Sequence, residues 1–193
     1  MMNPPRSRRA QGSRGPISLR DRRRRAELSS EWDSAVPMRE VAQEVSVVGW
    51  SVQAAAGNHV TPPWAYTVGL WASHQAPELV IAGMPADQMT TIMHAVAERI
   101  AEGAPLSVTS AIDGICSRPL TARPVHASWR ETSVFSVSDH YYGYVRPRYL
   151  QVVWPDRRGR FPGQLGFAGR QPMLWLPVED HPAGGWARLD QAC

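Results

Sequence analysis

The sequence predicts an α+β fold, a single domain with a mostly antiparallel sheet, one long helix and short helices behind a disordered Arg-rich N-terminal tail. Short strand-like segments recur between residues 50 and 154, and one long amphipathic helix interrupts them instead of alternating with them. Residues 1–35 combine Pro, Gly, Ser and Arg with very few apolar side chains, which is typical of a disordered segment.

The domain boundaries follow from this change in composition. We predict a disordered tail over residues 1–35, the α+β domain over 36–180 and a mobile C-terminal tail over 181–193. Residues 1–26 hold nine Arg against one acid, a net charge of +8, whereas residues 27–193 hold twelve Arg against sixteen acids, a net charge of −4. The basic character therefore belongs to the tail, and Met38 is an alternative start of the chain.

This charge distribution limits the classes of partner. The mildly acidic body argues against a basic nucleic-acid-binding domain, so nucleic acid or an acidic partner is expected only through the tail. That contact would use the run Arg22, Arg23, Arg24 and Arg25, for which a solvated tail is the alternative interpretation. No segment approaches the roughly 18 apolar residues of a membrane span. With two Cys and no secretion signal, the sequence predicts a cytoplasmic protein without a membrane partner.

In the first half of the body, one predicted helix is followed by three predicted strands. Apolar residues recur at helical spacing over 38–48, and Gly49 ends this predicted helix. Segments 50–56, 64–70 and 78–83 have the apolar character of strands, the last of them largely buried.

The second half begins with the clearest helix of the sequence. Residues 85–103 carry an apolar stripe at helical spacing, and segments 105–112 and 119–126 then predict a strand pair joined at Asp113–Gly114. Residues 136–142 form a short helix or an irregular segment. A last strand covers 148–154, and residues 155–159 form a turn.

A first candidate site follows the second strand. Strand alternation places Tyr66 on one face and Thr67 on the other, and His74 follows in a loop before the next strand. Glu78 begins that strand, so His74 and Glu78 are candidates for a catalytic base and the carboxylate that orients it. The alternative is a loop histidine bonded to a backbone carbonyl.

A second candidate site follows the last strand. Gln151, Trp154 and Asp156 gather at a stiff turn, and with Tyr66 and Thr67 they are our candidate ligand contacts. Asp156 also has an alternative interpretation, because an Asp at a turn commonly bonds the backbone of that turn. We expect a small-molecule ligand in a cleft between the two clusters, with a catalytic role left open.

The sequence names no cofactor and no metal. It lacks the glycine-rich phosphate and dinucleotide motifs, the serine nucleophile motif and any metal-ligand spacing. Two other classes stay open: a flavin- or haem-binding split barrel, suggested only by the order of strands and helix, and a non-enzymatic interaction or immunity-like module.

The ordered motifs resemble a bacterial family. The segments 65–70, 74–79, 150–156 and 159–162 resemble the family catalogued as domain of unknown function 4262, over about residues 38–175. The resemblance implies no established activity. One position departs from the family pattern, because Gly163 follows Phe161–Pro162 where the family commonly carries Trp.

Overall fold

The computed structural model describes residues 38–57, 62–108, 110–169 and 171–180. The predicted tails over 1–35 and 181–193, and with them the arginine run 22–25, lie outside these residues. The described part forms one α+β domain with four α-helices and six strands. The helices are α1 (Met38–Val48), α2 (Leu70–His74), α3 (Ala86–Ala101) and α4 (Ser136–Tyr142). The strands are β1 (Ser51–Ala55), β2 (Trp64–Val68), β3 (Glu78–Ala82), β4 (Ala111–Ile112), β5 (Leu120–Pro124) and β6 (Tyr149–Val153).

All six strands join one sheet in the order β1-β2-β3-β6-β5-β4. Every neighbouring pair is antiparallel except β3 and β6, which run parallel with Glu78 opposite Tyr149 and Val80 opposite Gln151. The predicted mostly antiparallel sheet is therefore confirmed. Because β3 and β6 run parallel, they begin at the same end of the sheet. This pairing decides which chain segments meet at each end.

A layer of helix covers each face of the sheet. On one face, the predicted stripe of α3 packs on Leu79, Ile81 and Val152. On the other face, Val41 and Val45 of α1 join the β2 side chains Trp64, Tyr66 and Val68 and the aromatic residues before α4. The strand alternation read from the sequence at β2 is confirmed, because these three residues share one core and Ala65 lies in the other.

Some element boundaries differ from the prediction. The strand predicted over 105–112 contributes only Ala111 and Ile112 to the sheet, and a turn bond from Ser110 N to Ser107 O lies just before them. Residues 70–74 are not strand and loop but helix α2, and three short 3-10 helices were not predicted. These short helices occupy Ala127–Glu131, Ser133–Phe135 and Val178–Asp180. Segments of three to five residues are too short to show helical periodicity.

Candidate functional site

The sheet separates the two candidate clusters. Antiparallel pairing brings the end of β2, with Thr67, beside Glu78 at the start of β3. Trp154 and Asp156 follow β6 at the opposite end of the sheet, where β3 also ends. A five-residue strand spans about 13 Å between its terminal Cα atoms. The residues predicted to share one cleft therefore lie at two ends of the sheet, and each end is described separately.

At the first end, Glu78 is fully buried and its carboxylate accepts four hydrogen bonds. Oε2 accepts from Thr67 Oγ1 at 2.6 Å. Oε1 accepts from the backbone N–H groups of Gly69 and Trp71, each at 3.0 Å, and from the Tyr142 hydroxyl. We call these five residues the Glu78 network. A carboxylate with this set of donors is fully engaged in holding the backbone.

The Glu78 network holds helix α2 in place. Gly69 is the N-cap of α2 and has no side chain to bond the free N–H groups of the first turn, so the Glu78 carboxylate accepts from them instead. Thr67 Oγ1 also accepts from Leu79 N at 2.8 Å, which ties β2 to β3. The arrangement explains Thr67 and Glu78 as structural residues. Their roles in ligand binding and catalysis stay predictions.

Tyr142, at the end of α4, completes the network and was missed by sequence reasoning. Burial raises the pKa of the Tyr142 phenol, and the negative charge and hydrogen bond of Glu78 raise it further. The hydroxyl therefore stays protonated and donates to Glu78, while it accepts from Gly69 N at 3.0 Å. The only sequence signal was an unusual run of tyrosines, which does not identify Glu78 as the partner.

His74 lies at the end of α2 and forms no hydrogen bond with Glu78. Its Nε2 atom is buried without a hydrogen-bond partner and faces Gly49, where an added Cβ would lie 2.7 Å away. The His74 ring lies 6.1 Å from the Trp50 ring, and Trp50 Nε1 donates to His94 Nδ1 at 3.1 Å. The predicted loop position is thus corrected to a helix end, and the base role stays a prediction.

Two further predicted ligand contacts are fully buried within the fold. The Tyr66 hydroxyl accepts from Val137 N at 3.2 Å, and burial raises the pKa of this phenol. Gln151 donates to Pro172 O at 2.7 Å and accepts from Leu174 N at 2.8 Å, so it fixes the C-terminal segment of the described chain against β6. Their polar atoms are used within the protein, and their contact with a ligand stays a prediction.

At the second end, Asp156 organises the turn after β6. Its Oδ1 accepts from the backbone N–H groups of Arg158 and Arg160 at 2.8 and 2.9 Å, and its Oδ2 accepts from Ala168 N at 3.1 Å. Arg160 adds an ion pair at 3.1 Å. Burial alone would raise the pKa of Asp156, but these donors outweigh it and lower the pKa to about 2. The alternative interpretation of Asp156, as the residue that bonds its own turn, is what the geometry shows.

A groove of about 730 Å³ opens beside this turn. We call it the arginine groove, and its walls include Trp154, Asp156, Arg157, Arg158, Arg160 and Gly166. Trp154 Nε1 donates to Ala82 O at 2.9 Å, which fixes the half-buried indole at the groove. Arg160 lies against Gly166, where a Cβ would come within 2.3 Å of its guanidinium. Of the predicted site residues, the structure brings together only Trp154 and Asp156 here.

The charge of the domain is itself divided along the chain. Residues 27–117 hold two Arg against ten acids, a net charge of −8, whereas residues 118–170 hold nine Arg against three acids, a net charge of +6. The second stretch contains β5, β6 and the Asp156 turn. The summed charge of the body concealed this division, although splitting the sequence at residue 118 would have revealed it.

A mixed six-stranded sheet with helices on both faces, an enclosed carboxylate at one end and a basic groove at the other define a single-domain α+β protein. The chain belongs to the family described as Domain of unknown function (DUF4262), whose model matches residues 44–168. The predicted resemblance is confirmed, and both ends of the sheet lie inside the matched region. No curated protein and no solved structure matches the chain.

Two further observations concern the described residues alone. They contain no group of three or more His, Cys, Asp or Glu side chains arranged to hold a metal ion. None of their helices is both long and apolar enough to cross a lipid bilayer. Gly163, where the resemblance implies a departure from the family pattern, has φ of +88°, a left-handed conformation that favours glycine.

Proposed function

We propose that this protein binds a small anionic molecule in the arginine groove. The observation that carries the proposal is that two of the three arginines in the groove have no partner. Within the described residues, the guanidinium groups of Arg157 and Arg158 form no hydrogen bond and no ion pair, whereas Arg160 is paired with Asp156. A groove with two free cations favours a ligand that carries a phosphate or a carboxylate.

The surroundings of these cations support an organic ligand. The half-buried Trp154 ring forms part of the wall, and the Phe167 ring lies 6.4 Å from it. Gly83 presents bare backbone at the same groove, and the Phe167 ring packs on Gly169, where an added Cβ would lie 2.3 Å from a ring carbon. An aromatic wall beside free guanidinium groups suits a flat molecule that carries an anionic group.

The frame of the groove is rigid, so the site exists before a ligand binds. Gln171 Nε2 donates to Trp154 O at 2.9 Å, and Trp154 N donates to Gln171 Oε1 at 3.3 Å, which extends β6 by a side-chain pairing. Asp156 fixes the other side of the turn through three backbone N–H groups. Preorganisation of this kind lowers the entropy cost of binding.

The test is isothermal titration calorimetry at low ionic strength with inorganic phosphate, AMP and FMN as probes. We expect at least one probe to bind, and the double variant Arg157→Gln/Arg158→Gln to weaken that binding about tenfold or more, because each charge-assisted hydrogen bond is worth roughly 1.5–3 kcal/mol. We expect the fold to tolerate this variant, since both arginines are exposed and neither guanidinium forms a hydrogen bond or ion pair with the described residues.

The matched control is Arg39→Gln, an exposed arginine of α1 that does not line the groove. Its affinity for the probes should equal that of the unchanged protein. Equal weakening by the control variant and the double variant would reduce the effect to general charge attraction. Absence of binding by all three probes at millimolar concentration would overturn the proposal.

Further experiments test the other classes of protein left open by the sequence. Binding of FMN with a change in its visible absorbance, or of haem on incubation, would favour the split-barrel hypothesis. Recovery of one partner protein both with and without residues 1–37 would favour an interaction module, and loss on truncation would assign the contact to the tail. We also propose that the protein lies in the bacterial cytoplasm, where Cys116 and Cys193 stay reduced.

A further inference from the structure

A second cavity, of about 500 Å³, lies away from the arginine groove. It opens where β3 and β6 begin and β5 ends, and its lining includes Leu106, Val108, Val125, Tyr149 and Leu150. We call it the apolar pocket. Tyr149 adds an aromatic ring but no free polar atom, because its hydroxyl donates to Ser138 Oγ. These walls favour an apolar body as the occupant.

Two arginines supply the polar part of this pocket, Arg130 and Arg148. Arg130 is half-buried and donates from Nη1 to Arg146 O at 3.0 Å, but it forms no ion pair with any described residue. The nearby carboxylate of Asp139 is already paired with Arg146 at 3.0 Å. Arg148 is exposed, and its guanidinium likewise has no partner in the described parts of the chain.

A partly buried cation without a counterion is unfavourable unless an anion reaches it. Burial lowers the pKa of the Arg130 guanidinium, and the like charge of Arg146 also lowers it. The negative charges of Asp139 and Glu131 raise this pKa, but neither carboxylate forms an ion pair with Arg130. An anionic group placed between Arg130 and Arg148 would supply that counterion.

We propose that the apolar pocket binds an amphipathic anion, a molecule with a saturated or aromatic apolar body and one anionic head group. The body lies against Leu106, Val125 and Leu150, and the head group lies between Arg130 and Arg148. This site is independent of the arginine groove, since the two cavities share no lining residue and lie at opposite ends of β6. Carboxylate and phosphate heads share this chemistry, and the experiment distinguishes them.

The experiment titrates the full chain with sodium octanoate, octyl phosphate, 1-octanol and acetate, using calorimetry and amide chemical shifts. We expect octanoate or octyl phosphate to bind and to shift amides of residues 106–108, 125–130 and 148–150. Octanol lacks the charge and acetate lacks the chain, so each should bind about tenfold or more weakly. The tighter of the two anions identifies the head group.

Variants then assign the charge to this pocket. Arg148→Gln should weaken binding of the anionic probe about tenfold or more and leave octanol binding unchanged. Arg130→Gln should do the same, but it also removes the bond to Arg146 O, so Arg148→Gln is the variant that separates binding from folding. The matched control is Arg39→Gln, an exposed arginine of α1 that lines neither cavity, which should leave binding of the anionic probe unchanged.

Three results would overturn the inference. The first is no binding of either anion up to its critical micelle concentration. The second is equal affinity for octanol and octanoate, which would reduce the pocket to an apolar surface. The third is equal weakening by the control variant, which would reduce the effect to general charge attraction. Because the two cavities share no lining residue, failure here leaves the arginine groove untouched and the reverse also holds.

Discussion

The two ends of the sheet place charged side chains in opposite situations. At the Glu78 network, a fully buried carboxylate accepts four hydrogen bonds and has no access to solvent. At the arginine groove, the carboxylate of Asp156 is also satisfied, but the guanidinium groups of Arg157 and Arg158 on its turn have no partner among the residues that the structure describes. The comparison shows that a carboxylate at a strand end can be fully used by its own fold, so the unsatisfied charge beside it is the better guide to a binding site.

The largest effect is expected from removing the buried carboxylate. Glu78→Ala leaves the Trp71 N–H and the hydroxyls of Thr67 and Tyr142 without this acceptor, so we expect the free energy of unfolding to fall by about 3–5 kcal/mol. Chemical denaturation measures this loss. Glu78→Gln keeps the shape and part of the acceptor capacity and should lose less, while the exposed Glu102→Ala should change stability by less than about 0.5 kcal/mol. A loss from Glu78→Ala no larger than that of Glu102→Ala would contradict the structural role.

The next effect tests the close packing beneath the same network. Gly69 has φ of +114°, and an added Cβ would lie 2.7 Å from a methyl carbon of Val45. Gly69→Ala combines backbone strain with this overlap, so we expect a loss of about 2–3 kcal/mol in a thermal or denaturant unfolding experiment. Gly103→Ala is the matched control, because Gly103 has φ of +87° and no atom within 4 Å of the added Cβ. Strain alone costs about 1 kcal/mol there, and equal losses at the two sites would exclude the packing term.

A third effect is the pH dependence of stability that the Asp156 carboxylate confers. The folded-state pKa of Asp156 is about 2, below the roughly 3.9 of an unfolded Asp, so its charged form stabilises the fold above pH 4. This contribution should decline as the pH falls from 4 toward 2. The side-chain carboxyl carbon of Asp156 should titrate near pH 2 in an NMR experiment, with matching shifts of the Arg158 and Ala168 amides. A midpoint near 4 would contradict the hydrogen-bonded turn, and Asp156→Asn should remove the pH dependence.

The smallest effect on stability belongs to the free arginines. Arg158→Gln removes an exposed guanidinium with no hydrogen bond or ion pair among the described residues, so the free energy of unfolding should change by less than about 0.5 kcal/mol. Its effect on phosphate binding should nevertheless be measurable by calorimetry. A large loss of stability together with unchanged phosphate binding would contradict this prediction, because Arg158 would then stabilise the fold and not bind a ligand.

Much of the fold could be predicted from local pattern. Helix α1, the apolar stripe of α3 and the alternation of β2 follow from side-chain periodicity, which is a property of neighbouring residues. Helix α2 could not be predicted, because its N-terminus is completed by Glu78, which lies beyond its own end in the sequence. For the same reason, Glu78 beside His74 in the sequence suggested a catalytic pair, whereas the carboxylate instead bonds Thr67 and Tyr142.

The candidate site was predicted in part. Trp154 and Asp156 were predicted at a stiff turn, and they do line a groove. Arg157 and Arg158 were predicted only as parts of that turn, and Arg160 only as part of a family motif. The apolar pocket gave no signal at all, because its lining comes from segments between residues 77 and 150 that share no motif. Only the pairing of β3, β6 and β5 brings those segments together.

The sequence by itself determined the class of fold, the family and the division between a basic tail and an acidic body. These properties depend on composition, periodicity and short ordered motifs, which are all local. The tertiary structure alone decided that the two clusters lie at opposite ends of the sheet, because the parallel pairing of β3 with β6 sets which strand ends meet. It also decided which charges are satisfied, since hydrogen bonds between distant residues such as Glu78 and Tyr142 depend on packing that no local pattern records.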